Sequence, residues 1–65
     1  MRASVAANIK KIRKKKGWTQ ERAAEKAGFH YKYYQHIESG QANLTLASLE
    51  KLAKALGIEP KKLMA

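Results

Sequence analysis

One short segment of the chain carries side chains that hydrogen-bond well to nucleic-acid bases. In a helix over this segment, the side chains that point away from the apolar face are Tyr31, Lys32, Gln35 and His36. Lysine can donate to guanine O6 and N7, glutamine pairs with adenine N6 and N7, and a tyrosine ring can cover a thymine methyl group. Histidine donates or accepts according to its tautomer. The set indicates contacts to base edges rather than covalent chemistry.

Catalytic and metal-binding chemistry finds no support in the sequence. No serine lies in the setting of an activated nucleophile, cysteine is absent, and no pair of carboxylates is placed to share a cleft. His30 and His36 are six residues apart without a third ligand beside them, which does not suit a metal site on a helix. We therefore expect no enzyme, no catalytic residue, no metal, no cofactor and no small-molecule ligand.

The charge balance predicts a polyanionic partner. Fourteen lysines and arginines outweigh five glutamates, which gives a formal net charge of +9 over 65 residues. No apolar run approaches the ~20 residues of a membrane span, and the N-terminal apolar segment is too short for a secretory signal. We expect one domain over residues 1–65, cytoplasmic and nucleoid-associated, with no membrane contact.

Glycines divide the chain into short helical segments. Ser4 is expected to cap a first helix that runs to about residue 16, with an apolar stripe of Val5, Ile9 and Ile12. Thr19 is expected to cap a second helix over residues 20–27, which Gly28 ends in the left-handed conformation. Small inward residues let another helix approach this one closely: Ala23, Ala24 and Ala27.

The third segment, residues 31–39, is expected to form a helix that Gly40 closes. Tyr34 and Ile37 share its inward face, and the polar and aromatic set described above lies elsewhere on it. Together with the second helix and the glycine turn it makes a helix-turn-helix over about residues 19–39. This device lays a helix against DNA.

The fourth helix has the clearest apolar periodicity in the chain. Thr45 is expected to cap it and Gly57 to end it. Its predicted apolar face consists of Leu46, Leu49, Leu52, Ala53 and Leu56. Pro60 then begins a last short helix through Leu63, at a position where its missing N–H costs nothing. The chain is therefore predicted to be all-α.

Four motifs occur in a specific order and spacing: GWTQ at 17–20, AEKAG at 24–28, IESG at 37–40 and LASLEKLAKALGI at 46–58. A first helix of the type IxxxR, ending at Arg13, precedes them. Over about residues 7–63 the chain resembles the phage-repressor helix-turn-helix family of Cro/CI or Xre type. The resemblance implies a compact five-helix, lambda-repressor-like DNA-binding domain.

The resemblance also implies roles for particular residues. In the family the third helix enters the major groove, which assigns base reading to Tyr31, Lys32, Gln35 and His36. Arg13 and Glu38 resemble a structural pair that joins the first and third helices and can leave a guanidinium edge for a phosphate. Gln20 resembles a glutamine that binds a phosphate and braces the recognition helix. The simpler alternatives are an exposed helix-start residue for Gln20 and, for Arg13 with Glu38, a surface ion pair worth ~0 to 1 kcal/mol.

Polar residues around the recognition helix are expected to bind DNA phosphates: Arg13, Thr19, Gln20, Ser39, Gln41 and Asn43. The chain departs from the family pattern at three positions. His30 replaces a Ser or Thr cap, Tyr34 replaces a small aliphatic residue, and Leu44 replaces a proline. A buried Tyr34 requires a partner for its hydroxyl group. The neighbouring tyrosines leave open a second interpretation, in which the rings stack on single-stranded bases.

We therefore expect a sequence-specific, double-stranded DNA-binding transcriptional regulator. One copy reads too few base pairs to be selective, so we expect a homodimer on a pseudo-palindromic operator with half-sites ~34 Å apart. Its minimal size resembles that of restriction-modification controller proteins and Cro-like repressors, controlled through their own concentration. The candidate dimer contacts are Leu44, Ile58, Leu63 and Met64. The alternative is that these apolar residues close the core of the monomer.

Two other classes of function stay open. An antitoxin binds a protein toxin and uses its DNA binding to regulate its own operon. A nonspecific architectural DNA-binding protein is suggested by the charge alone. A toxin reading frame beside the gene favours the first, and displacement from the best site by random DNA favours the second.

Overall fold

Five helices make up the part of the chain that the structure describes, which is residues 2–64 for the backbone and 4–64 for the side chains. The computed structural model contains α1 (Arg2–Lys15), α2 (Gln20–Ala27), α3 (Tyr31–Glu38), α4 (Leu46–Leu56) and α5 (Pro60–Leu63). No strand occurs in residues 2–64, and the predicted all-α, five-helix architecture is confirmed. In this same range no helix has the length and apolar character needed to cross a bilayer.

Helix α1 begins earlier than the sequence predicted. It includes Arg2, so Ser4 lies inside the helix and the predicted N-cap at Ser4 is wrong. Arginine and alanine are good helix formers, so the two residues before Ser4 extend the helix at little cost. At the other end Gly17 adopts a φ of 74°, which lets the Trp18 amide donate to the Arg13 carbonyl at 3.2 Å.

Caps at the facing ends of α2 and α3 set the turn between them. Thr19 Oγ1 accepts from the Arg22 amide at 3.1 Å, and Gly28 ends α2 with a φ of 76°, both as predicted. His30 performs the capping role itself, since its Nδ1 accepts from the Lys32 amide at 3.2 Å. An imidazole nitrogen therefore replaces the usual hydroxyl, and α3 starts where the sequence predicted but ends one residue earlier.

The apolar face of α4 begins at Leu49 rather than at Leu46. Leu46 is 70% exposed and Leu49 only 6%, while the rest of the predicted face is buried: Leu52, Ala53 and Leu56. Helical side chains lean toward the N-terminus of their helix. Leu46 directly follows the Thr45 cap, so it projects past the helix start and has no preceding turn to cover. The inward position predicted for Leu46 is wrong.

The core fills the space between the five helices, with small alanines on the side of α2. Its largest fully buried side chains are Tyr34, Ile9, Ile37, Leu52 and Leu63. Leu63 is 0% exposed within a single chain, which removes it from the predicted dimer contacts and assigns it to closure of the monomer. The side-chain amide of Asn8 donates to the Leu63 carbonyl at 2.8 Å and so ties α1 to the end of α5.

We expect Leu49→Asp to unfold the domain, because an unpartnered buried carboxylate costs more than the few kcal/mol that a small core supplies. Leu46→Asp is the matched control. It places the same charge one turn earlier on the same helix, at an exposed position, and its unfolding free energy should stay within ~0.5 kcal/mol of the parent. Circular dichroism during urea titration measures both. A folded Leu49→Asp variant contradicts the assigned face.

Candidate nucleic-acid interface

The side chains assigned to base reading form the outer edge of α3. All four are exposed, and we call them the reading edge: Tyr31, Lys32, Gln35 and His36. Gln35 Nε2 donates to Tyr31 Oη at 3.2 Å, one helical turn away. The Lys32 ammonium has no partner among the described residues. The reading edge therefore offers hydrogen-bond donors, acceptors and an aromatic ring to solvent on one side of a single helix.

The three tyrosines of α3 have three different environments. Tyr31 is 40% exposed, whereas Tyr34 is fully buried. Tyr33 is half-buried and packs edge-to-face on Phe29, with ring centroids 5.3 Å apart. Its hydroxyl oxygen lies 3.4 Å from the hydroxyl oxygen of Ser48. Only one of the three rings is therefore an exposed surface. This arrangement does not suit stacking on successive single-stranded bases, which needs several exposed rings.

A buried polar cluster holds the inner side of α3. We call it the Glu38 cluster, and it consists of Glu38, Arg13, Gln20 and Tyr34. Glu38 Oε2 accepts from Arg13 Nε and from the Tyr34 hydroxyl, both at 2.5 Å. Glu38 Oε1 accepts from Gln20 Nε2 at 3.0 Å and from Arg13 Nη2 at 3.2 Å. One carboxylate thus joins α1, α2 and α3.

Protonation in the Glu38 cluster follows from burial and hydrogen bonding. Burial by itself raises the pKa of Glu38, but hydrogen bonds from Arg13, Tyr34 and Gln20 outweigh it and lower the pKa below its usual range. The hydrogen bond to Glu38 raises the pKa of Arg13. Burial, followed by the bond to Glu38, raises the pKa of Tyr34. At neutral pH Arg13 and Glu38 therefore form an ion pair, and the Tyr34 hydroxyl donates a hydrogen bond to Glu38.

The structure places Arg13 and Gln20 behind the reading edge. The Arg13 side chain is 9% exposed, and its third guanidinium nitrogen, Nη1, donates to the Trp18 carbonyl at 2.7 Å. This burial favours the bracing role of Arg13 over a phosphate contact. Gln20 is half-buried, with Nε2 bonded to Glu38. The sequence reasoning missed Tyr34 as a member of the cluster, although its spacing of four residues from Glu38 on one helix was a visible signal.

The residues assigned to phosphate contacts on either side of α3 are exposed: Thr19, Ser39, Gln41 and Asn43. Ser39 Oγ donates to the His36 carbonyl at 2.9 Å, and the backbone N–H of Gln41 donates to the same carbonyl at 2.9 Å. These bonds order the chain directly after the reading edge. The described residues contain no group of His, Asp or Glu side chains arranged to hold a metal ion.

The remaining candidate dimer contacts differ in exposure. Met64 is 55% exposed. Leu44 and Ile58 are half-buried and pack against the core while keeping part of their surface in solvent. All three can therefore reach a second copy without any rearrangement of the core.

Comparison with known proteins identifies this arrangement. A family model described as helix-turn-helix matches residues 9–63. The chain belongs to the helix-turn-helix family. The resemblance to Cro/CI-type and Xre-type domains that the four motifs predicted is thereby confirmed.

This helix-turn-helix chain is similar to regulators and to solved structures along nearly its whole length. It is 40% identical over 58 residues to an uncharacterized HTH-type transcriptional regulator of Sinorhizobium fredii, covering 89% of this chain and 75% of that protein. The hypothetical transcription factor NHTF from Neisseria has a TM-score of 0.95 and 36% identity, covering 98% of this chain and 74% of that one. The restriction-modification controller protein C.AhdI from Aeromonas hydrophila has a TM-score of 0.91 and 35% identity, covering 95% of this chain and 94% of that one.

The helix-turn-helix chain spans between 60% and 75% of the length of three curated relatives that it matches. The names of these relatives describe transcriptional regulators, a transcription factor and a control protein. The functional class predicted from the sequence, a DNA-binding regulator of transcription, is therefore confirmed.

We expect Glu38 to make stability depend on pH. A carboxyl whose pKa is lower in the folded state contributes stability above its unfolded value of 4.5, and this contribution disappears as the pH falls through the folded pKa. Glu38→Gln should lose about 3 kcal/mol at pH 7, because it leaves a buried guanidinium without its counter-ion. It should also flatten the decline in unfolding free energy that the parent shows below pH 4.5.

Urea unfolding at a series of pH values tests this expectation. Glu50→Gln is the control, since it removes an exposed carboxylate from α4, and its unfolding free energy at pH 7 should stay within ~0.5 kcal/mol of the parent. If Glu38→Gln keeps the full pH dependence of the parent, the charge of Glu38 is not what stabilises the folded state.

Proposed function

We propose that the chain is a sequence-specific regulator of transcription that binds double-stranded DNA as a homodimer, with α3 in the major groove. The observation that carries the proposal is the division of α3 into two sides. Its outer side exposes the reading edge, while its inner side is bonded through Glu38 to α1 and α2. A helix held from behind and polar in front suits the readable donor and acceptor pattern of the major groove. Such a regulator acts in the cytoplasm, on the nucleoid.

Gln35 is the reading-edge residue with the best-prepared geometry. A glutamine pairs with adenine through its carbonyl oxygen as acceptor and one amide N–H as donor. The other N–H of Gln35 is already bonded to Tyr31 Oη, which orients the amide plane before any contact with DNA. Lys32 can donate to guanine O6 and N7, and its ammonium has no hydrogen bond within the described residues that must break first.

Polar groups beside the reading edge position the domain through phosphates. Thr19 and Gln20 lie at the start of α2, and three exposed residues follow α3: Ser39, Gln41 and Asn43. Contacts of this kind fix the register of the protein on DNA without reading sequence. Gln20 uses one amide N–H on Glu38 and has a second N–H for a phosphate oxygen. Arg13 acts through the cluster, as a positioning residue.

The length of α3 supports a dimer. Its eight residues span ~12 Å along the helix axis, which equals about four base pairs of duplex at a rise of 3.4 Å. So short a site recurs too often to be selective, and two copies on half-sites ~34 Å apart double the sequence that is read. We assign the dimer contact to Leu44 and Met64. The protein's own concentration then sets how much dimer forms and how much of the operator is occupied, and so controls transcription.

Enrichment of bound duplexes from a random-sequence pool tests the proposal. We expect one preferred sequence composed of two inverted half-sites whose centres lie ~10 base pairs apart. Competition with unlabelled random DNA is the control for nonspecific binding. If random DNA displaces the protein as effectively as the selected site does, the chain is an architectural binder and sequence-specific regulation is wrong.

We expect Lys32→Ala and Gln20→Ala to weaken DNA binding in different ways. Lys32→Ala should cost ~1 to 3 kcal/mol on the selected site and relax preference at one base step, whereas Gln20→Ala should weaken all sequences alike. Fluorescence anisotropy on the selected site and on single-step variants measures both effects. Lys54→Ala removes one exposed positive charge from α4 and is the matched control for Lys32. An equal loss on every sequence for Lys32→Ala removes Lys32 from the reading edge.

A further inference from the structure

An open groove of about 570 Å³ runs between α1 and the turn that joins α4 to α5. Ile12 and Ile58 form its apolar floor, and both side chains are half-buried. Three exposed lysines stand around it: Lys11, Lys15 and Lys62. Its volume falls within the ~300 to 1,000 Å³ that is usual for ligand sites. We call this feature the lysine groove.

The lysine groove faces away from the recognition helix. At 3.6 residues per turn, Arg13 lies about 150° around α1 from the centre of the four groove residues of that helix. These four are Asn8, Lys11, Ile12 and Lys15. Arg13 is the residue of α1 that bonds to Glu38 of α3. The side of α1 that opens into the groove is therefore opposite the side that supports the reading edge.

The charges around the lysine groove lack counter-ions. None of its three lysines has a hydrogen-bond or ion-pair partner among the described residues. Glu59 also lines the groove, but its carboxylate lies 3.4 Å from the Lys61 ammonium. An occupant must therefore supply negative charge. It must also supply apolar surface, because a phosphate backbone gains nothing from an isoleucine floor.

A second copy of this chain does not meet both requirements. Its net charge is +9, and its acidic residues are five glutamates. Glu38 is buried against Arg13, while Glu25 and Glu59 are paired with Arg22 and Lys61. The two remaining glutamates, Glu21 and Glu50, lie on different helices, so no acidic stripe is left to face three lysines. An isologous contact here brings like charges together.

We propose that the lysine groove docks a peptide segment of another protein, rich in Asp and Glu and carrying Leu or Ile side chains. The apolar side chains lie on Ile12 and Ile58, and the carboxylates face Lys11, Lys15 and Lys62. Because the groove and the reading edge lie on opposite sides of α1, the peptide and DNA bind at the same time. The domain is then a link between a DNA site and an acidic partner protein.

Selection from a phage-displayed library of random peptides of about twelve residues tests the proposal. The protein is immobilised and kept saturated with random-sequence duplex DNA, which occupies the other cationic surfaces. We expect enrichment of peptides that combine carboxylates with Leu or Ile. The most enriched peptide, made synthetically, should shift the backbone NMR signals of residues 11–15 and 57–62 and leave those of α3 unchanged.

Charge-matched variants make the test specific to the groove. Changing Lys11, Lys15 and Lys62 together to Gln should weaken the synthetic peptide about tenfold, since the losses of three exposed charge contacts multiply. The control changes Lys10, Lys14 and Lys54 to Gln, an equal loss of charge at exposed positions outside the groove, and should weaken it less than about twofold. A peptide with Ser at each Leu and Ile should lose binding although its charge is unchanged.

Three results overturn the proposal. They are selection without acidic and apolar enrichment, equal losses in the two lysine variants, and displacement of the peptide by excess DNA, which makes the groove part of the DNA surface. The readouts need no operator and no dimer. Failure here therefore leaves the enrichment of duplex DNA untouched, and failure of that enrichment leaves this test intact.

Discussion

The Glu38 carboxylate is the point on which the arrangement of the domain depends. It accepts hydrogen bonds from Arg13 on α1, Gln20 on α2 and Tyr34 on α3, and its own side chain is only 3% exposed. A buried charge is tolerated only when its partners satisfy it. Since α2 and α3 have eight residues each, neither helix is stable alone in water. The same bonds that satisfy Glu38 therefore fix the direction in which α3 presents its outer side.

The two sides of α3 divide stability from recognition. Tyr34 and Ile37 are buried, while the reading edge is exposed. Long-range attraction between a chain of charge +9 and a polyanion raises the rate of encounter, but it does not distinguish sequences. Selectivity has to come from short-range contacts at fixed positions. The polar cluster behind α3 gives the reading edge that fixed position, and the lysine groove adds a separate surface on the far side of α1.

Helix ends show where prediction from the sequence succeeds and where it fails. Thr19 and Thr45 cap their helices as predicted, because each hydroxyl accepts from an amide only three residues away. Ser4 has the same side-chain chemistry but lies inside a helix, because the residues before it extend α1. Leu46 fits the periodic pattern of α4, yet no element covers the start of that helix. A local pattern predicts a helix well, but it does not reveal how far neighbouring elements extend.

The sequence by itself determined the helices, most of their ends, the basic charge and the motif order that indicates the family. These properties depend on residues within about four positions of one another, or on composition. Only the tertiary structure decided that Gln20 donates to the Glu38 carboxylate itself and that Leu63 closes the core. Those contacts join residues up to 55 positions apart. Burial and pairing across such distances follow from how whole helices pack, which no local pattern encodes.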